Sequence, residues 1–196
     1  MLFDKIIKSR FVIEIGSIIF SVLLALWVNE WQSSIKTKNL AREQTIRILN
    51  EIQANKVELE SVMADNKARL DSLLAFQKRK EWWNSKKYSV NEFGWGYNAA
   101  ELNKTVWETT LLLNVAPAMD ADLLSALSEI QGLQRLYEEF SLDLMRKFAA
   151  ETALLKDNLR SAIEKHKYNL FIAQEFSGQL LKKYDQFLEK YKKLEN

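Results

Sequence analysis

The chain has 196 residues, with 28 Lys and Arg against 26 Asp and Glu for a net charge of +2, and no cysteine. That balance gives no electrostatic reason to expect nucleic acid as a partner, and the absence of thiols excludes disulfides, iron–sulfur clusters and cysteine chemistry. One proline and five glycines leave few helix breakers, so the composition predicts an all-α protein.

Residues 1–10, MLFDKIIKSR, form a basic amphipathic tail with Leu2, Phe3, Ile6 and Ile7 at helical spacing. It is either a short turn lying on a membrane surface or the beginning of the helix that follows. Residues 11–28, FVIEIGSIIFSVLLALWV, are apolar except for Glu14 and two serines. These 18 residues span about 27 Å as a helix, the short end of what a bilayer requires. Residues 11–31 therefore read as a transmembrane anchor held by the lipid bilayer, with Trp27 and Trp31 as interfacial anchors one turn apart. A buried helix of a soluble protein is seldom so uniformly apolar. A cleaved signal peptide would need a small-x-small site, and the exit Leu-Trp-Val-Asn-Glu-Trp has none.

Glu14 falls in the first turn of the span, where a helix N-terminus favours negative charge. It reads as an interfacial carboxylate beside Lys8 or Arg10, or as a lateral contact with a partner membrane helix. Gly16 follows, and Ser17 with Ser21 makes a small-xxx-small face that permits close helix approach. Lys5, Lys8 and Arg10 precede the span, and Lys36, Lys38, Arg42 and Arg47 follow it. The basic density immediately before the span and the signal-anchor pattern favour a cytoplasmic N-terminus and a periplasmic domain.

Residues 32–196 read as a helical-bundle domain. From 32 to 83 there is no Pro or Gly, and Leu49, Ile52, Leu59, Met63, Leu70 and Leu73 form a heptad-like seam. One long helix is expected, running straight out of the anchor. Asn55 and Asn66 lie on or near the seam, where they either fix register in an oligomer or hydrogen-bond at the bundle surface.

Around 82–98 the composition changes. Trp82, Trp83, Tyr88, Phe93, Trp95 and Tyr97 stand among lysines and Gly94 and Gly96. Such a loop either caps the far end of the bundle or presents a ligand or partner surface. Residues 99–114 read as a short helix with Leu102, Val106, Trp107, Leu111 and Leu113 inward, ended at Pro117. Asp120 is the expected N-cap of a helix continuing to about Ile163, with a turn around 166–173 and a last helix over 174–193. The fold expected is thus an N-terminal transmembrane helix continuing into the long helix of an elongated antiparallel bundle.

Signatures of catalysis do not occur. The single His166 has no metal-binding context and reads as an ordinary surface residue, and there is no phosphate-binding loop or nucleophile elbow. Carboxylate pairs such as Glu138 and Glu139 point to different helix faces. Neither a cofactor, a metal nor an enzymatic activity is expected.

Glu14, Ile15, Leu24, Ala25, Leu26, Asn29 and Trp31 give this anchor an early Glu and an Ala-Leu-x-x-Asn-x-Trp end. In this it resembles a recurring type of small bacterial single-pass membrane protein. Thr105-Val106-Trp107-Glu108, the stretch from Leu123 to Tyr137, and Gln174-Glu175-Phe176 are similar to the middle and end of those proteins. The resemblance implies a bacterial inner-membrane topology and brings no catalytic residue. The function expected is that of a non-enzymatic structural or interaction protein, self-associating or accessory to a membrane complex. The alternative is a ligand-sensing module that uses the aromatic loop.

Overall fold

The computed structural model describes residues 2–84, 88, 92–155 and 158–192, with side chains from Glu14 onward except 153 and 154. The described residues contain four α-helices and no strand. α1 runs over Leu2–Gln77 without interruption, 76 residues and about 114 Å at the ordinary rise. From Leu2 on, the tail backbone is thus the first part of this helix, while its side chains lie outside the described residues.

α1 has two environments. Every residue from 14 to 36 is exposed, and Ala41 is the first to be buried. From there Ala41, Gln44, Thr45, Ile48, Leu49, Ile52, Asn55, Leu59, Val62, Asn66, Leu73 and Phe76 form a buried stripe along one helix face, with alternating steps of three and four from Ile52 to Asn66. The helix stops at Gln77, six residues before the expected end. Lys78 N and Arg79 N donate to carbonyls three residues back, on Ala75 and Phe76, and Glu81 takes a positive φ. The tightened turn sends the chain sideways.

The chain then returns along α1 as an extended segment, residues 95–104, ending in α2, Thr105–Leu112. The expected helix from 99 is therefore reduced to its second half. Residues 99–104 stay extended because α1 takes their backbone. Asn98 N donates to Asn66 Oδ1 (3.0 Å) and Asn66 Nδ2 to Asn98 O (2.7 Å). Asn103 exchanges the same pair with Asn55, both at 2.7 Å. Val106 N, in the first turn of α2, donates to Glu51 Oε2 (2.8 Å). Leu102 is buried and Val106 and Trp107 pack on the core, but Leu111 and Leu113 face out, contrary to expectation. α2 presents Thr110 inward instead, against Gln44 of α1.

A 3-10 turn over Ala116–Ala118, with Pro117 inside it, leads into α3, Ala121–Leu154. Asp120 caps α3 as expected, accepting from Leu123 N at 2.9 Å. The break after α3 is not where the periodicity placed it. α3 ends at Leu154, and α4 is one helix over Leu159–Tyr191, capped by Asn158, which accepts from Ser161 N. The expected turn at 166–173 lies inside α4. His166, Leu170, Ala173, Ser177 and Leu180 continue one buried stripe there, which small and polar members conceal from a hydrophobicity pattern.

α4 packs antiparallel on α1. Lys56 pairs with Asp185 at 2.6 Å, Gln174 Nε2 donates to Met63 O, and Gln77 Nε2 to Glu164. α3 packs on the other side of α4, and the segment at 95–112 fills the remaining corner between α1 and α3. Tyr137 OH accepts from Ala100 N at 2.8 Å, and Lys104 pairs with Glu138. The main core gathers Ile48, Ile52, Leu59, Leu127, Ile130, Tyr137, Leu180 and Tyr184. A second one, at the end remote from the apolar segment, gathers Leu73, Phe76, Phe93, Leu155, Leu159 and Ile163.

Candidate functional site

Two regions stand out against the packed bundle: the exposed stretch of α1 from Glu14 to Lys36, and the aromatic cap at the opposite end.

Ile18, Ile19, Phe20, Val22, Leu23 and Leu26 are among the exposed apolar side chains of the first region. α1 is the one helix among the described residues long and apolar enough to cross a membrane, and none of that stretch is buried in the protein. Trp27 and Trp31 stack at 6.1 Å with planes 16° apart, and both are exposed. Glu14, Gly16, Ser17 and Ser21 are exposed too. A Cβ on Gly16 would meet nothing within 4 Å. Ser21 Oγ donates back to Ser17 O at 2.8 Å. This local bond satisfies the hydroxyl in an apolar medium, so the face offers close approach rather than a free donor. Ser17, Ser21 and Ala25 repeat every four residues along it.

In the aromatic cap, the six rings fall into distinct environments. Phe93 is buried against Phe76 at 4.6 Å. Tyr88 meets Phe76 edge-on at 5.0 Å and donates its hydroxyl to Lys80 O. Trp95 is half-buried between Phe93, Phe148 and His166, at 6.0, 5.2 and 4.3 Å, and its Nε1 donates to Thr152 Oγ1. Tyr97 OH shares a hydrogen bond with Ser141 Oγ at 3.0 Å, and burial raises its pKa. Trp82 is half-buried on the second core. Trp83 stands edge-on to Trp82 and is 54% exposed, so it alone of the six rings is mainly in solvent. Lys86 and Lys87 lie outside the described residues.

His166 corrects the sequence reading. It is 2% exposed, not a surface residue, and it packs on Trp95 and Phe148. Gly96 N donates to its Nε2 at 3.5 Å. Burial is the main reason its pKa falls to about 4, helped by the nearby Arg69 charge, so the imidazole is neutral at pH 7. Gly96 has a φ of 152°, and a Cβ there would lie 2.5 Å from Arg69 Nη1. Neither His166 nor Arg69 shows a motif. Their roles come from the loop folding over them.

Two shallow grooves flank the extended segment. One of about 390 Å³ lies between α2 and α3, bordered by Trp107, Glu108, Gln131, Gly132 and Arg135. Gln134 also borders it, and its buried Oε1 has no hydrogen-bond partner among the described residues. The other, about 370 Å³, lies beside Ala99, Leu102, Leu142 and Met145. Among the described residues, no three His, Asp or Glu side chains gather as metal ligands.

No family model, curated protein or solved structure matches the chain.

Proposed function

We propose that this is a non-enzymatic, membrane-anchored structural or interaction protein that self-associates or serves as an accessory subunit of a membrane complex. The observation that carries the reading is that α1 is at once a bare apolar helix over residues 14–28 and the central packing helix of the bundle from Ala41 on. With no break between the two parts, the position of the bundle is coupled rigidly to whatever the apolar part meets. In a bilayer that part is surrounded by lipid, and Ser17, Ser21 and Ala25 give it a face for a neighbouring helix. The basic Lys5, Lys8 and Arg10 support a cytoplasmic N-terminus, with the bundle in the periplasm of a bacterial inner membrane.

The internal engagement of Phe93, Trp95, Tyr88 and Tyr97 favours this reading over a ligand-sensing loop, since these rings already have partners within the fold. Intact-mass measurement of the full-length protein, extracted in mild detergent, tests the proposal. A complex of defined stoichiometry is expected, either several copies of the chain or the chain with another subunit. A monomer with no companion, after crosslinking in the native membrane as well, would overturn it.

A further inference from the structure

Among the described residues, the most exposed large apolar side chain of the bundle is Leu112, at 86%, flanked by Leu111 at 50% and Leu113 at 47%. These leucines are not on a loose loop. Thr110 before them is buried against Gln44, and Val115 after them is 2% exposed. Leu113 N donates to Thr109 O and Asn114 N to Leu111 O, which closes the helix, and Asn114 turns the chain with a φ of 52°. The fold holds the tripeptide outward between two fixed points.

Its direction follows from the register. The returning segment meets α1 at Asn66, then Asn55, then Glu51, then Gln44. Each step moves toward the N-terminus of α1, so Leu112 lies at the end of the bundle nearest the apolar helix. The connecting part of α1 carries Lys36, Lys38 and Arg42, all exposed, with no acidic residue between Glu30 and Glu43. An apolar tip beside a cationic neck, both at the end from which the apolar helix emerges, matches the chemistry of a lipid surface: acyl chains below and anionic headgroups above.

We infer that Leu111, Leu112 and Leu113 rest in the headgroup layer of the bilayer that holds α1, and that the cationic neck binds anionic lipid beside them. The inference rests on the membrane-anchored reading above. Its geometry requires a tilt. Ala41, where the bundle begins, is ten residues beyond Trp31, or about 15 Å along the axis. The headgroup layer of one leaflet accounts for roughly 5–8 Å of this. α2 stands about 8–10 Å to one side of α1. A tilt of about 30° toward α2, within the ordinary range for membrane helices, lowers the tip by about 5 Å and shortens the axial height by about 2 Å. That closes the gap.

The native chain has no cysteine, so a single substitution gives a single labelling site. Full-length Leu112→Cys, Leu23→Cys and Leu142→Cys proteins, each carrying a nitroxide, are reconstituted in vesicles of phosphatidylethanolamine and phosphatidylglycerol. Collision with oxygen and with a water-soluble nickel complex is then measured by electron paramagnetic resonance. The label at 23 is expected in hydrocarbon and that at 142 in water. The label at 112 should show nickel collisions at least threefold below those at 142. Replacing phosphatidylglycerol by phosphatidylcholine should raise them toward the value at 142. If the label at 112 matches that at 142 while that at 23 is in hydrocarbon, the docking inference fails and the anchor stands. If the label at 23 is also in water, the membrane reading itself falls.

Discussion

Asn55 and Asn66 are buried eleven residues apart on α1, and each holds the backbone of one residue of the returning segment through both ends of its side-chain amide. Their backbone partners, Asn103 and Asn98, are five residues apart. Eleven residues of helix rise about 16.5 Å, and five residues of extended chain cover about the same distance. The two asparagines therefore set the register between a helix and a strand-like segment that pairs with no strand among the described residues. They satisfy backbone groups that an extended chain buried beside a helix would otherwise leave unpaired.

Asn66→Leu should accordingly destabilise the protein by about 2–4 kcal/mol, since it leaves an amide N–H and a carbonyl without partners. Chemical denaturation of the detergent-solubilised protein measures it. Because Asn55 secures the same segment, the double variant Asn55→Leu/Asn66→Leu should cost less than the sum of the two single changes. Strict additivity would mean that the segment does not act as one unit.

The buried His166 makes stability depend on pH. Its pKa is about 4 in the fold, against about 6.5 when unfolded. Between these values the unfolded chain binds the extra proton, so the contribution is fully present above about pH 6.5 and is lost as pH falls toward 4. The loss is on the order of 3 kcal/mol. His166→Phe keeps a ring against Trp95 and Phe148 and removes the titration. Its unfolding free energy should fall less steeply than that of the native protein between pH 6.5 and 4. Parallel curves would place the pH dependence elsewhere.

Trp95 and Trp83, two of the three tryptophans of the cap, should behave differently. Trp95→Ala removes a ring held by three aromatic neighbours and a hydrogen bond to Thr152. A loss of about 2–4 kcal/mol is expected. Trp83 is mainly exposed, and Trp83→Ala should change stability by no more than about 0.5 kcal/mol. Thermal melts separate them. If Trp83→Ala removed binding of a ligand with the melt unchanged, the loop would be a recognition surface.

At Gly96, alanine meets two obstacles, a φ of 152° and Arg69 Nη1 at 2.5 Å from the new Cβ. Gly96→Ala should cost about 1–3 kcal/mol. Combining it with Arg69→Ala should recover only the part due to the clash, leaving the backbone strain. A double-mutant cycle on denaturation midpoints measures both parts. Full recovery would show that the backbone there adapts freely.

Local chemistry made much of this architecture legible in advance. The apolar run at 11–28, the scarcity of breakers in α1 and the cap at Asp120 each depend on residues close together in sequence. The site was less legible. Trp95 and Tyr97 stood out by composition, but their partners His166, Thr152 and Ser141 come from α3 and α4 and carry no signal of their own. Periodicity also merged α3, which ends at Leu154, with α4, which begins at Leu159. Leu155 and Leu159 continue a helical spacing, and only Asn158, capping α4, marks the new start.

The sequence by itself thus determined the helical class, the exposed apolar helix and its direct continuation into the bundle, because these follow from hydrophobic run length and the absence of backbone breakers. Only the tertiary structure decided that residues 99–104 stay extended, that His166 is buried and that Leu111 and Leu113 face outward. Each of these depends on which distant group satisfies a backbone amide or covers a side chain: Asn55 and Asn66 for the segment, the loop over His166, and Gln44 drawing Thr110 inward so that the leucines beside it turn away. Such pairings are energetic consequences of packing, and nothing in the spacing of neighbouring residues encodes them.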